Sequence, residues 1–173
     1  TRHAWMKSGR QESVAEHSWR MGLMAYFLRD AFPHADLTRV LLMALLHDMG
    51  EVFTGDIPTF EKTDADRRRE HELRDEWIDS LPAPYAAEVH ALFAEMDAME
   101  TEEARLVRAL DRMEAVITHN EGDPATWLPL EYDLQRTYGV KEAAFSPTLK
   151  KLRAEVTNEV DEVIAARKEE ETI

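Results

Sequence analysis

The sequence predicts an all-helical fold of about six helices, on three observations. Apolar residues recur at three- and four-residue steps along most of the chain, helix-start signals such as Ser13-Val-Ala-Glu16 and Thr101 precede those stretches, and strand signals are weak throughout. With 173 residues and 44% hydrophobic content the chain can fill one core, so a single domain is expected. No internal repeat, low-complexity tract or linker interrupts it.

Residues 2–13 lack periodicity and carry Arg2, Lys7 and Arg10, which predicts a loop packed by Trp5. Ser13 and Glu16 have capping-box spacing, so a first helix runs from here to about Phe32, before Pro33. His17 lines up with Val14, Met21, Met24 and Leu28 and therefore faces inward. Asp36 or Thr38 caps the second helix, which is apolar at every position from Val40 to Leu46 and reads as buried on all sides. It ends in His47, Asp48 and Gly50, two good metal ligands at the mouth of a core. After the glycine, Glu51-Val-Phe can form one more turn, and Thr54-Gly55-Asp56-Ile-Pro58 is a turn with a rigid exit. Residues 63–81 form a charge-rich surface helix with Leu73, Trp77 and Ile78 as its seam and a solvated His71.

A fourth helix covers Tyr85 to about Met99, and Thr101 caps a fifth whose inner face carries Ala104, Val107, Leu110 and Ile117. Asp111 falls on that face. Residues 119–132 read as a loop pinned by its aromatic residues. Pro147 opens a last helix with Leu149, Leu152, Val156 and Val163 facing inward, frayed from Arg167 onwards.

The composition narrows the function classes. With 21 basic against 35 acidic side chains the net charge is -14, which repels polynucleotides and anionic membranes but leaves room for a small phosphate ester where a metal and a few cations reverse the local field. There are no cysteines, so a transition-metal site must use histidine and carboxylate, and the composition is compatible with the cytoplasm. No signal peptide and no apolar run of bilayer-spanning length is evident, and the numbering opens on Thr1 without an initiator methionine, which leaves room for residues upstream. Each inward polar group, taken alone, has an ordinary structural explanation. Burying His17, His47-Asp48 and Asp111 in one small core, however, is unfavourable by several kcal/mol without partners, and one divalent cation accounts for all four.

The ordered pattern His17, His47-Asp48, Asp111 resembles that of the HD-domain metal-dependent phosphohydrolases. Two longer stretches, Glu12-Ser-Val-Ala-Glu-His17-Ser and His47-Asp-Met-Gly-Glu51-Val-Phe-Thr-Gly-Asp56-Ile-Pro58, are similar to the 5'-deoxyribonucleotidase branch. The resemblance implies one HD domain over residues 1–173, one divalent transition metal such as Co, Mn, Fe or Zn, and cleavage of deoxyribonucleoside 5'-monophosphates. It implies metal ligation by His17, His47, Asp48 and Asp111, water handling by Glu51, an Asp56 carboxylate on the sugar and leaving-group side, phosphate binding by Arg2, and a homodimer. Trp5, which stands three positions after Arg2 where some members carry it directly after, is the candidate for contact with the sugar. Lys62 is a second candidate cation for the phosphate oxygens.

Related ligand patterns serve nucleotide phosphodiesterases, triphosphohydrolases, hydrolases of hyperphosphorylated guanosine nucleotides and di-iron oxygenases. The dinuclear forms need further histidines before the last aspartate, where this chain offers only His71 and His90. A non-enzymatic module that keeps the metal as a staple is the remaining alternative. It does not require Glu51 or Asp56.

Overall fold

The computed structural model describes residues 1–170 and divides into two compact units. The first comprises Thr1–His3 with Ser13–Val107, and the second comprises Ala4–Glu12 with the chain from Arg108 onwards. Among the described residues there are helices and no strand; one isolated bridge joins Trp5 and Gln11.

In the first unit α1 (Val14–Leu28) starts where the capping box predicts, the Glu16 N–H donating to Ser13 Oγ at 3.2 Å and the Ser13 N–H to Glu16 Oε2 at 3.1 Å. A 3-10 turn, Arg29–Ala31, ends it before Pro33. Asp36 caps α2 (Leu37–Leu46) by accepting from the Arg39 N–H at 3.2 Å. The two helices pack side by side through Met21, Ala25, Val40, Met43 and Ala44, all buried.

One expectation fails on α2. Leu42 and Leu45 are exposed, so the helix is buried on one face only. A continuous apolar run does not say which side meets a partner.

A single turn, α3 (Glu51–Thr54), follows Gly50, and α4 (Asp64–Asp79) begins in a second capping box between Thr63 and Asp66. The charge run on α4 is not wholly a surface feature, since Glu70 and Arg74 are buried in line with Ile78. Arg74 lies 4.5 Å over the Phe93 ring and pairs with Asp75 at 2.9 Å, which compensates the buried guanidinium. His71 is exposed, as expected. The helix α5 (Tyr85–Ala98) packs on α2 and α4. Next, α6 (Glu102–Glu121) is capped by Thr101, and the boundary between the units falls within it, after Val107.

In the second unit α6 continues to Glu121, two residues past the start of the predicted loop. The segment 119–143 contains α7 (Glu131–Thr137) and α8 (Val140–Ala143), which the sequence reading did not anticipate. Their cement is polar. Arg153, 2% exposed, donates to the Gln135 carbonyl at 2.6 Å and the Tyr138 carbonyl at 2.8 Å, satisfying the end of α7. That arginine also shifts the buried stripe of α9 (Pro147–Glu170), which runs through Leu149, Arg153, Val156, Val160 and Ile164, with Leu152 and Val163 at its flanks. The helix continues through Arg167 to Glu170; residues 171–173, where fraying was expected, lie outside the described residues.

The 4–12 segment is a tight turn held by the buried Ala4 and Glu12, not by Trp5, which is exposed. Its backbone lies so close to Gly122 that a Cβ there would fall 2.3 Å from the Trp5 carbonyl oxygen. No described helix is long and apolar enough to cross a membrane.

Candidate metal centre

Two helix ends of the first unit deliver its polar groups to one point. The capping box fixes the start of α1, and the next residue, His17, is fully buried. Where α2 ends, the His47 N–H still bonds the Met43 carbonyl at 2.9 Å, and His47 Nδ1 faces the Ala44 carbonyl at 2.9 Å. A carbonyl can only accept, so Nδ1 carries the proton and the Nε2 lone pair points inward. His47 Nε2 lies 3.3 Å from His17 Nε2, 3.2 Å from Asp48 Oδ2, and that same oxygen is 3.8 Å from His17 Nε2.

This arrangement can hold a cation. Two facing imidazole nitrogens beside a carboxylate either share a proton carried by one of them or both turn a lone pair to a metal ion. Donors on neighbouring positions of one divalent ion, each about 2.1 Å from it, stand about 3.0–3.4 Å apart. The His47–His17 and His47–Asp48 separations match that spacing, the His17–Asp48 separation of 3.8 Å is wider, and the bond from His47 Nδ1 to a carbonyl is the outer-shell contact that metal-ligating histidines make.

Beside this cluster stands Glu51. The αR break at Gly50 turns the chain so that α3 projects its first side chain inward, and Glu51 Oε1 accepts from Lys62 Nζ at 3.2 Å. Glu51 Oε2 is buried without a hydrogen-bond partner among the described residues. Burial, reinforced by the Asp48 and Asp56 carboxylates and only partly offset by Lys62, pushes the Glu51 carboxyl up to about 8. Lys62 also bonds Glu70 Oε1 at 2.7 Å. Burial opposes the Lys62 charge, but its bonds to Glu70 and Glu51 outweigh that and hold the ammonium above its ordinary range.

A stability prediction follows for the metal-free chain. Below about 4.5 Glu51 is protonated whether folded or not; above that the unfolded chain ionises while the folded one keeps its proton. Stability therefore falls as pH rises towards about 8, and Glu51→Gln flattens that slope in thermal melts across this range. A slope unchanged in the variant assigns it to other groups.

Asp56 sits beyond the Gly55 turn, where φ of +79° favours glycine. Its Oδ2 accepts from the His3 N–H at 3.3 Å and lies 4.0 Å from Arg2 Nε. The first unit thus brings together His17, His47 and Asp48, then Glu51 and Lys62, and separately Arg2 and Asp56. Asp111 and Trp5 belong to the second unit, where Asp111 is largely buried on α6 with Arg108 Nη1 at 3.7 Å. His71 and His90 are not placed for a second metal: His71 is exposed, and His90 pairs with Asp79 at 2.8 Å on the surface. Glu70, buried on α4, is a further polar group of this site. Its spacing of four and eight residues from Arg74 and Ile78 marks it as inward, a signal hidden by the charges around it.

The chain is similar to several known proteins. The 5'-deoxynucleotidase HDDC2 of Mus musculus is 34% identical over 112 residues, which cover 64% of this chain and 55% of that protein. The 5'-deoxynucleotidase hdd1 of Schizosaccharomyces pombe is 30% identical over 125 residues, covering 66% and 61%. The chain spans little more than half the length of these curated relatives. A crystal structure of a predicted metal-dependent phosphohydrolase from Magnetospirillum magnetotacticum MS-1 superposes with a TM-score of 0.76 at 28% identity, over 94% of this chain and 84% of that one. A family model described as an HD domain matches residues 1–153, drawing on both units, and the protein belongs to the HD-domain family.

Proposed function

We propose that the chain is a metal-dependent phosphomonoesterase acting on (deoxy)ribonucleoside 5'-monophosphates, with residues 1–173 working as one HD domain. The observation that carries this reading is the convergence of His17, His47 and Asp48 beside Glu51, whose buried Oε2 has no hydrogen-bond partner among the described residues. The names of the curated relatives support the substrate class. Asp111 is the proposed fourth ligand, on the ordered family pattern.

When bound, one divalent transition ion supplies positive charge that acidifies water and offsets charge on the phosphate. Glu51, with Oε1 held by Lys62 and Oε2 open, would take a proton from the attacking water. The water oxygen bonds to phosphorus as its proton passes to Glu51, the bond to the 5'-oxygen breaks, and the leaving oxygen takes a proton from solvent water that Asp56 orients. Arg2 and Lys62 bind the non-bridging oxygens, because phosphoryl transfer depends on positioning and charge. Trp5 is the proposed contact for the sugar. We place the activity in the cytoplasm, a setting the cysteine-free composition suits.

A panel of ribo- and deoxyribonucleoside 5'-monophosphates, cyclic nucleotides and triphosphates, assayed for phosphate release with added cobalt or manganese, tests the assignment. Release from the monophosphates alone is expected. Turnover only of cyclic nucleotides or triphosphates would move the chain to another HD-type phosphohydrolase, and no turnover at all would favour the metal-stapled binding module.

We further propose that the active form is a homodimer. On the outer faces of α1 and α2, Trp19 is 62% exposed, Phe27 75% and Leu45 56%, with Leu23, Tyr26 and Leu42 also exposed. An apolar patch of this kind on a chain carrying charge -14 suits a self-complementary contact, with the Arg29 guanidinium stacked 4.2 Å over the Tyr26 ring at its margin. Light scattering on the eluting protein should give twice the 20.0 kDa chain mass, and Phe27→Lys should return it to one. A monomeric parent protein at micromolar concentration rules the dimer out.

A further inference from the structure

Lys62 is held by more than one group. Its backbone N–H bonds the Pro58 carbonyl at 3.0 Å, which fixes the start of its side chain. The ammonium then meets Glu70 Oε1 at 2.7 Å and Glu51 Oε1 at 3.2 Å, with all three side chains nearly enclosed. Thr54 Oγ1 lies 3.5 Å from the same Glu70 oxygen. Gly50 lets α4 come this close, since a Cβ there would stand 3.1 Å from the Glu70 carbonyl oxygen. The glycine that separates the His-Asp pair from Glu51 is thus also where Glu70 docks.

An ammonium carries three hydrogens, and two carboxylates take two of them. Were Glu51 the sole anion at this point, the lysine would bind both of its oxygens and occupy the group that the reaction needs for water. Glu70 takes the stronger share, leaving Glu51 Oε2 open and the third ammonium hydrogen available to an incoming oxygen.

We infer that Glu70 is a positioning residue, seating the Lys62 ammonium so that it bridges to Glu51 on one side and to the substrate phosphate on the other. The inference rests on the phosphomonoesterase reading and adds to it a residue that touches neither substrate nor metal. Its effect must therefore pass through Lys62.

Glu70→Gln keeps the shape and removes the charge. Losing one charge-assisted contact to the seated lysine should raise KM for the best 5'-monophosphate about tenfold while kcat stays within about twofold. A merely structural defect behaves differently, because a smaller folded fraction lowers kcat and leaves KM alone. In a Lys62→Met background, adding Glu70→Gln should change KM no further, and Glu70→Asp, which restores the charge, should recover part of the parent KM. Acylation of Lys62, followed by peptide mass spectrometry, should be severalfold faster in Glu70→Gln than in the parent. An unchanged KM, an equal effect with and without Lys62, or an unchanged acylation rate would each overturn the seating role. If the parent itself turned over no monophosphate, the functional reading would fall, and the acylation rate would still decide whether Glu70 seats the lysine.

Discussion

Glu51→Gln is expected to lower phosphate release by roughly 10²–10⁴-fold, the range of general acid–base assistance, while the chain keeps its bound metal. Glu51 Oε2 is buried without a hydrogen-bond partner among the described residues, on a carboxyl pushed up to about 8 by burial and the nearby Asp48 and Asp56. A structural carboxylate so placed would satisfy both oxygens or be replaced by an amide at little cost. Glutamine fills the same space and still bonds Lys62 through its carbonyl, so the fold is retained. Turnover at the parent rate with glutamine at this position would remove Glu51 from the chemistry.

His47→Ala should lower metal affinity by more than about 100-fold, beyond what loss of an outer-shell partner costs, and abolish turnover with it. The imidazole is held by the Ala44 carbonyl on one side and faces His17 and Asp48 on the other, so no neighbouring group can take its place. Isothermal titration with manganese reads the affinity directly. Chelation of the parent should lower its melting temperature, because an ion bound only by the folded chain stabilises it; in His47→Ala chelation should change nothing. Equal titration curves for the parent and the variant would mean that the ion sits elsewhere.

The parts of this molecule readable from sequence are those with a local cause. The capping box at Ser13 and Glu16 sets the phase of α1, and phase alone puts His17 inside. Six of the helical segments follow from caps and spacing, the starts of α4, α6 and α9 falling within a residue of their signals. What escaped depends on partners distant in sequence. The short helices α7 and α8 have too few apolar positions to show a period, and the end of α7 is held by Arg153, fifteen or more residues further along. The helix over 63–81 reads as a surface helix because charges dominate it, and they mask the inward spacing of Glu70 and Arg74 to Ile78. The exposed Leu42 and Leu45 show the reverse error, apolar character taken for burial.

Asp111, on α6, is proposed as the fourth ligand beside His17, His47 and Asp48. Metal content per chain, measured by inductively coupled plasma mass spectrometry on dialysed parent and Asp111→Asn proteins, tests this most directly. One ion per parent chain and less than a tenth of that in the variant is the result expected of a shared ligand. Full retention of metal in Asp111→Asn, or a parent that hydrolyses monophosphates with no metal at all, would contradict it.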